Sequence, residues 1–355
     1  MPARPIRSAL GVVSMGALAL VSVAGISIAQ TRVQPDTPRV RMLATGGTIG
    51  TRGATRLTAE EILQLVPGLS RYAQPEAEQF ANVASTAMTL DQWLQLSRRL
   101  NDLFDKDPGL AGVVVTSGTD SLEELAYFLH LTVRSPKPVV VVGAMRSAST
   151  PGYEGTANLL DAFRVAAMPE SRGKGVMVVL NDEINSAREV TKTDALRLQT
   201  FQSHSYGLLG VVDPDRIVYF REPLKRHTVR SEFDLKGVSA LPRVDIIMFY
   251  QGAPDDLVRA AVDNGAKGIV IAMAGADVTG GTLAPGINYA VRQGVLVVAA
   301  TRTGSGRIAA ASATRLGEGL IAAEDLAPLK ARVLLMLALT RTRSPSEIQR
   351  MFTEY

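Results

Sequence analysis

Short apolar segments alternate with amphipathic ones along most of the chain. Apolar runs rich in β-branched residues, typical of strands buried on both faces, lie at residues 40–44, 80–84, 113–116, 138–143 and 175–180. Segments with helical periodicity lie between them, at residues 59–65, 90–104, 122–133 and 157–167. The alternation predicts an α/β fold, with a mostly parallel sheet and helices on both of its faces.

A second, smaller α/β unit is predicted in the last third of the chain. Its strands are expected at residues 244–250, 268–272 and 295–300, and its closing helices at residues 330–339 and 345–352. The segment before it, residues 221–243, is charged, contains proline and has little periodicity, which indicates a linker. We therefore expect an N-terminal domain at residues 38–220 and a C-terminal domain at residues 244–355.

The first 29 residues have the pattern of an export signal. Two arginines come first, an uncharged apolar stretch covers residues 9–28, and Ser27 and Ala29 form a small-x-small cleavage site. The stretch is also long enough for an uncleaved anchor, because about 20 apolar residues can span a bilayer. We expect a periplasmic or secreted protein with no stable membrane association once the signal is removed. The absence of cysteine excludes disulfides and lipid attachment through a cysteine.

Composition and charge narrow the function classes. A chain of 355 residues with 46% hydrophobic residues can bury a large core. The net charge is only +4, and no basic run or aromatic-basic interleaving follows the signal, so nucleic acid is not an expected partner. No cysteine or histidine cluster is present, and we therefore expect no zinc site.

The first candidate for chemistry is the exit of the first strand, because ligands of doubly wound sheets bind outside the carboxyl ends of strands. The sequence there is ATGGTIG, residues 44–50. Paired glycines, Gly46 and Gly47, allow a sharp turn and close approach of a ligand, and Thr45 supplies a hydroxyl. A dinucleotide-binding loop is the alternative, but the G-x-G-x-x-G spacing is absent and no acidic residue closes the next strand.

The second candidate is VVVTSGTDSLEEL, residues 113–125, where a buried strand leads into a helix. Ser121 with Glu124 three residues later is predicted to form a capping box for that helix. Thr119 and Asp120 are not needed for capping. They are therefore available for chemistry at the strand exit.

The third candidate is a polar segment after another buried strand, residues 181–193, in which Lys192 lies between two threonines. A threonine hydroxyl is a weak nucleophile until a base removes its proton. The histidines, His130, His204 and His227, lie outside all three motifs. A lysine can replace histidine where burial and its neighbours lower its pKa. A threonine, lysine and aspartate group could then perform acyl transfer without a metal, although a loop lysine is usually a solvated charge.

These motifs together resemble the bacterial L-asparaginases, meaning the exported type II enzymes and the related glutaminase-asparaginases. The resemblance rests on ATGGTIG (44–50), TSGTDSLEE (116–124), VGAMRSAS (142–149), LNDEINSAREVTKT (180–193) and ARVLLMLALT (331–340), in this order. It implies hydrolysis of L-asparagine to L-aspartate and ammonia, without a cofactor. It also implies a homotetramer, a dimer of dimers in which a partner's smaller domain closes each site.

The resemblance also assigns roles to residues. Thr45 would be the nucleophile, and Thr119, Asp120 and Lys192 would form a proton-handling triad. Ser85, together with Asp120, would hold the α-carboxylate and α-amino groups of the substrate. The substrate-binding residues it implies are Gly47, Ser85, Thr86, Ser117 and Gly118.

Several family features are missing at the substrate. The segment after Gly50 is short and has no tyrosine, so Thr48 or a water must replace the tyrosine of the family's lid. Thr86 and Ala87 occupy positions where the family has glutamine and aspartate, and Ser117 replaces a histidine. Fewer contacts to the substrate's ammonium group predict a weaker Michaelis constant than in typical exported members.

Other differences from the family concern the residues that a partner subunit would contribute and the choice of substrate. Glu154 lies where aspartate is usual, and the partner's asparagine and glutamate are missing near Asp277 and in residues 308–313. A smaller lid also leaves the preferred amide open, so a broad glutaminase-asparaginase is one alternative. A non-catalytic protein that binds an amino acid on the same fold is the other.

Overall fold

The computed structural model describes residues 37–276, 280–309 and 320–355. The predicted signal at residues 1–29, Asp277 and most of the tract at residues 308–313 lie outside them. The helices are α1 (Ala59–Gln64), α2 (Leu90–Lys106), α3 (Leu122–Thr132), α4 (Gly155–Ala167), α5 (Asp256–Asp263), α6 (Ala284–Arg292), α7 (Pro328–Ala338) and α8 (Pro345–Glu354). Among these residues, no helix combines the length and apolarity that crossing a membrane requires.

The strands form two main sheets and two small hairpins. They are β1 (Arg39–Gly46), β2 (Thr51–Arg52), β3 (Thr55–Arg56), β4 (Gln74–Val83), β5 (Leu110–Thr116), β6 (Val139–Val142), β7 (Val176–Leu180), β8 (Glu183–Ser186), β9 (Thr191–Lys192), β10 (Phe201–Gln202), β11 (Gly210–Val212), β12 (Ile217–Tyr219), β13 (Val244–Met248), β14 (Gly268–Met273), β15 (Leu296–Thr301) and β16 (Leu320–Ala322).

The larger sheet has the order β12-β11-β8-β7-β6-β5-β1-β4. Its pairs from β4 to β7 are parallel, and β8, β11 and β12 extend it by antiparallel pairing. The smaller sheet, β13-β14-β15-β16, is entirely parallel. The prediction of two α/β units, a larger mostly parallel one followed by a smaller one, is confirmed.

Alternating side chains of the central strands pack on opposite faces of the larger sheet. Val113 and Val115 of β5 belong to the core formed with α2 and α3, whereas Val114 belongs to the core formed with α1 and α4. All three valines are fully buried. Burial on both faces explains why these strands read as continuous apolar runs.

The two sheets share one hydrophobic core. Val115 of β5 and Val298 of β15 belong to the same cluster of buried residues, together with α3, α7 and α8. Helix α7 packs against both α3 and the smaller sheet. The segment at residues 221–243 contributes Phe233 and Leu235 to this core. The C-terminal unit is thereby fixed against the helix that follows β5.

The position of β1 defines a crevice at the carboxyl edge of the larger sheet. After β1 the chain crosses to β4 on one side, and after β5 it crosses to β6 on the other side. Connections that leave adjacent parallel strands in opposite directions open a crevice, where ligands of doubly wound sheets bind. Thr45 lies near the end of β1, and Thr119 lies between β5 and α3.

The structure corrects the predicted capping box of α3. Ser121 is the N-cap residue, but its side chain makes no capping hydrogen bond. The side chain of Glu124 instead lies 3.5 Å from Arg332 of α7. An ion pair with the neighbouring helix has replaced the local cap, and desolvation by burial raises the pKa of Glu124.

Candidate active site

A small cleft of about 110 Å³ lies at the crevice. Its lining residues come from the exits of β1, β4 and β5 and from the β2–β3 hairpin: Gly47, Thr48, Thr51, Arg56, Ala84, Ser85, Gly118, Thr119 and Asp120. Three larger cavities, of about 200, 380 and 500 Å³, contain none of these residues. We take the small cleft as the candidate site because Ser85, Thr119 and Asp120 line it.

Glycine allows the strand exits to approach each other closely. Gly47 has a φ angle of 84°, in the region that side chains other than glycine rarely adopt. A Cβ atom at residue 47 would overlap the backbone of Gly118, and one at Gly118 would lie 2.9 Å from the Ser85 hydroxyl oxygen. The glycines of both motifs therefore bring Ser85, Thr119 and Asp120 to one cleft.

Lys192 joins the second and third motifs. Its Nζ donates to Thr119 Oγ1 at 3.0 Å and to Asp120 Oδ1 at 2.6 Å. Thr119 is buried, and the Lys192 side chain is 17% exposed, whereas the Asp120 side chain is 66% exposed. Lys192 is not in a loop, as its sequence context suggested, but in β9, opposite Phe201 of β10. The strand and the buried Phe201 hold it in place.

A buried acid and a buried lysine support the strand that carries Lys192. Glu123 Oε1 accepts hydrogen bonds from Thr191 Oγ1 at 3.0 Å and from the Lys192 backbone N–H at 3.3 Å. Lys330 Nζ donates to the backbone oxygens of Arg188 and Val190, just before β9. Burial lowers the pKa of Lys330 to about 8.

Sequence reasoning missed both residues. Glu123 lies between Leu122 and Glu124 in the first turn of a helix, where acids are common. Lys330 lies near the start of α7, far along the chain. The signal that existed was their placement in helices that are mostly apolar. Lys and Glu are almost never fully buried without a partner, so a charge in such a helix indicates a paired site.

Thr45 contacts β5, and its hydroxyl makes no hydrogen bond to Lys192. The residue is 3% exposed, and its Oγ1 donates to the Thr116 backbone oxygen at 2.7 Å. Its backbone N–H donates to Thr116 Oγ1 at 3.3 Å. Thr45 is not among the residues that line the cleft. Two hydrogen bonds thus hold Thr45, near the end of β1, against Thr116 of β5.

The remaining predicted residues divide into two groups. Gly47, Ser85 and Gly118 line the cleft. Ser117 is 1% exposed, and its hydroxyl donates to the Gly118 backbone oxygen at 3.1 Å. Thr86 is exposed in the turn after β4. Neither Ser117 nor Thr86 lines the cleft.

The histidines lie away from the cleft. His130 and His227 are buried with ring centroids 4.9 Å apart, and burial lowers the pKa of His227 to about 4. His204 lines the cavity of about 200 Å³. Within the part of the chain that the structure describes, no group of three or more His, Cys, Asp or Glu side chains is arranged to hold a metal ion.

Comparison with known proteins places this chain in a family. The family model described as asparaginase, N-terminal, matches residues 39–225, and the glutaminase/asparaginase C-terminal domain matches residues 243–352. The L-asparaginase 2 of Bacillus subtilis (strain 168) is 42% identical, with 93% of this chain and 90% of that protein covered. The glutaminase-asparaginase of Pseudomonas fluorescens biotype A is 38% identical, over 98% of this chain and all of that protein.

A solved structure shows the same likeness. The crystal structure of a probable cytoplasmic L-asparaginase from Campylobacter jejuni matches with a TM-score of 0.83 and 39% identity, over 90% of this chain and all of the other. The fold and these relatives define an amidohydrolase. The chain belongs to the asparaginase family.

Proposed function

We propose that this protein hydrolyses the side-chain amide of L-asparagine to L-aspartate and ammonia. The observation that carries the proposal is the position of Lys192 Nζ within hydrogen-bonding distance of both Thr119 Oγ1 and Asp120 Oδ1. A protein that only bound an amino acid would not need a lysine bonded to a buried hydroxyl. Relatives named L-asparaginase 2 and glutaminase-asparaginase support the same reaction.

In this mechanism Thr45 Oγ1 attacks the amide carbon and forms an ester, while its proton passes to the group of Thr119, Lys192 and Asp120. The C–N bond breaks, the proton returns to the leaving nitrogen, and ammonia departs. Water then hydrolyses the ester, which restores the Thr45 hydroxyl and releases aspartate. Attack requires Thr45 to release its hydrogen bond to the Thr116 backbone oxygen.

The proton-handling group is suited to its role by its geometry. Lys192 can exchange a proton with Thr119 or Asp120 without moving, because both oxygens are already within bonding distance. Backbone N–H groups at the start of α3, after Gly118, would stabilise a developing oxyanion. One such donor contributes about 3 kcal/mol to the transition state.

Substrate binding is assigned to the residues that line the cleft. Ser85 and Asp120 would hold the α-carboxylate and the α-amino group, next to Gly47 and Gly118. Thr86, where the family has glutamine, is exposed and outside the lining. We therefore expect a weaker Michaelis constant than in typical exported relatives. A micromolar value would contradict this expectation.

The second candidate is a broad glutaminase-asparaginase. Thr48 lines the cleft, and residues 51–56 form only a two-stranded hairpin with no tyrosine, which leaves room for a longer side chain. Ammonia release from asparagine, glutamine and short amide peptides separates the two candidates. Binding of aspartate without ammonia release from any amide would support a binding protein and overturn the proposal.

Location and assembly complete the proposal. We infer that residues 1–29 are removed on export, which sequencing of the mature N-terminus tests. One relative, from Haemophilus influenzae, is named as probable periplasmic L-asparaginase, while the Campylobacter protein is named cytoplasmic. A homotetramer, in which residues 244–355 of one subunit close the site in residues 38–220 of another, is testable by mass measurement in solution.

A further inference from the structure

Arg56 is a basic side chain at the candidate cleft with no hydrogen bond or ion pair to any other described residue. It lines the cleft together with Ser85, Thr119 and Asp120. Among the residues that the structure describes, its guanidinium group makes no hydrogen bond or salt bridge. The 22 ion pairs found in the described residues do not include Arg56. The side chain is therefore available to a ligand.

The hairpin that carries Arg56 is anchored to two neighbouring segments of the chain. The Leu57 backbone N–H donates to the Gly50 oxygen at 2.7 Å, and the Ala148 backbone N–H donates to the Thr51 oxygen at 2.8 Å. The Gly53 backbone N–H donates to Ser149 Oγ at 3.0 Å. These bonds fix the hairpin to the end of β1 and to the segment after β6. The position of Arg56 at the cleft is thus built into the fold.

Strand pairing directs Arg56 toward the cleft. Arg56 is paired with Thr51, and Arg52 is paired with Thr55. Cross-strand partners project on the same face of a hairpin, and successive residues project on opposite faces. Thr51 and Arg56 both line the cleft, whereas Arg52 and Thr55 do not. Arg52 is an exposed arginine of the same hairpin on the other face.

The charged residues of the cleft, one basic and one acidic, are complementary to the carboxylate and ammonium groups of an amino acid. Arg56 is the basic residue of the lining and Asp120 the acidic one. Thr51 is not free to bind a ligand as a donor, because its hydroxyl donates to the Gly47 backbone oxygen at 3.0 Å. Ser85 is neutral. A carboxylate in this cleft therefore has one cationic partner among the lining residues, the guanidinium of Arg56.

We propose that Arg56 binds the carboxylate of the substrate and makes the enzyme select amides that also carry a free carboxylate. This inference rests on the proposed amidase function and names the class of substrate. A guanidinium group can make two parallel hydrogen bonds to a carboxylate, which a serine hydroxyl cannot. Arg56 is then a specificity residue of this chain. It lies in the β2–β3 hairpin, which takes the place of the family's longer lid and brings a cation to the cleft.

The test compares Arg56→Gln with Arg52→Gln, the matched variant on the other face of the hairpin. The two substrates are L-asparagine and L-aspartic acid diamide, in which the α-carboxylate is replaced by an amide. For asparagine, Arg56→Gln should raise KM by about tenfold, the factor expected from losing about one charge-assisted hydrogen bond at an exposed site, and leave kcat within about twofold. Arg56→Lys should lie between wild type and Arg56→Gln, and Arg52→Gln should match wild type.

The diamide separates a carboxylate contact from a general effect on the cleft. Since it has no carboxylate, Arg56→Gln should leave its kcat/KM within about twofold of the wild-type value. A KM for asparagine that is unchanged in Arg56→Gln would overturn the inference. An equal loss with asparagine and diamide would also overturn it. In both cases asparagine hydrolysis by the wild type would leave the proposed function standing.

Binding of the product provides a second readout that does not depend on turnover. Calorimetric titration with L-aspartate should give a dissociation constant about tenfold weaker for Arg56→Gln than for wild type or Arg52→Gln. If the wild type released no ammonia from any amide, the proposed function would fail, and this titration would still decide the role of Arg56. Equal affinities in all three proteins would overturn it.

Discussion

The amine of Lys192 lies 3.0 Å from the hydroxyl oxygen of Thr119, although 73 positions separate the two residues in the chain. Thr119 follows β5 of the larger sheet, and Lys192 lies in a separate hairpin formed by β9 and β10. Their contact is maintained by Glu123, one turn after Thr119, which accepts from the backbone of Lys192. Had Lys192 pointed into solvent, the proposed proton-handling group would have no base.

Lys192→Met should abolish activity while the fold remains intact. Methionine has a similar length but cannot exchange a proton with Thr119 or pair with Asp120. Loss of one member of such a group lowers kcat by about a thousandfold or more. The measurement is ammonia release, with circular dichroism to confirm folding. Lys106→Met is the control, because Lys106 is an exposed lysine of α2 that pairs with Asp102. Activity above about a tenth of wild type would remove Lys192 from the mechanism.

Thr45 and Thr119 should behave differently when the covalent intermediate is trapped. If Thr45 is the nucleophile, rapid acid quenching followed by peptide mass analysis should find the aspartyl ester on the peptide that contains Thr45. Thr45→Ala should show no ester and near-complete loss of activity. Thr119→Ala should form the same ester more slowly, because only proton transfer is impaired.

The outcome that contradicts this assignment is an ester on Thr119. It is a real alternative, since Thr119 lines the cleft and contacts Lys192, whereas the Thr45 hydroxyl donates to the Thr116 backbone oxygen. Thr45→Ser is the matched control. It keeps a hydroxyl at residue 45 and should retain substantial turnover.

The central strands could be predicted from the sequence because their side chains are buried on both faces. Strands β1, β5, β6 and β7 contain long apolar runs, and the structure finds them within a few residues of the expected limits. Strand β4 begins earlier than predicted, at Gln74. It lies at the edge of the sheet with partly exposed polar residues, so its first half lacks the apolar pattern.

The buried polar residues that hold the strand of Lys192 could not be predicted from the local sequence. Glu123 and Lys330 lie far apart in the chain, and their proximity follows from the packing of α3 against α7. The capping box predicted for Ser121 and Glu124 failed for the same reason, since Arg332 of α7 draws Glu124 away from the helix start. Arg56 sits in a short polar hairpin, where an arginine looks like a solvated charge.

Lys330→Met should destabilise the protein and slow the reaction. Lys330 Nζ lies 3.8 Å from Glu123 Oε2, a buried oxygen that has no hydrogen-bond partner in the described residues. Removing the cation leaves that carboxylate uncompensated, at a cost of about 3–5 kcal/mol in the free energy of unfolding. Urea unfolding measures this change. Because β9 is held by the same residues, kcat should also fall.

A double variant distinguishes the ion pair from simple loss of packing. In Lys330→Met with Glu123→Gln no buried charge is left unpaired, so the double variant should be more stable than Lys330→Met alone. Glutamine can still accept from Thr191, and kcat should recover in part. If the changes in the free energy of unfolding caused by Lys330→Met and by Glu123→Gln sum to the change in the double variant, the two side chains are not coupled.

Asp161 should make stability fall as the pH rises toward neutrality. Its carboxyl is 6% exposed on α4, with Asp182 as its neighbour and Arg164 at 3.4 Å. Burial, and then the hydrogen bond and charge of Asp182, raise the pKa of Asp161 from 3.8 to about 7. The folded protein therefore binds more protons than the unfolded chain between these values. The free energy of unfolding should decrease with rising pH there, by at most about 1.4 kcal/mol per pH unit from this group.

Asp161→Asn tests this dependence, because asparagine is a neutral side chain of similar shape that can still bond Asp182. The variant should show a flatter pH dependence between pH 4 and 7 and should be more stable than wild type above about pH 7. Urea unfolding at several pH values measures both effects. Asp105→Asn, at an exposed position of α2, is the control and should keep the wild-type slope. An unchanged slope in Asp161→Asn would mean that the carboxyl is already ionised in the folded protein below pH 7, with Arg164 compensating its charge.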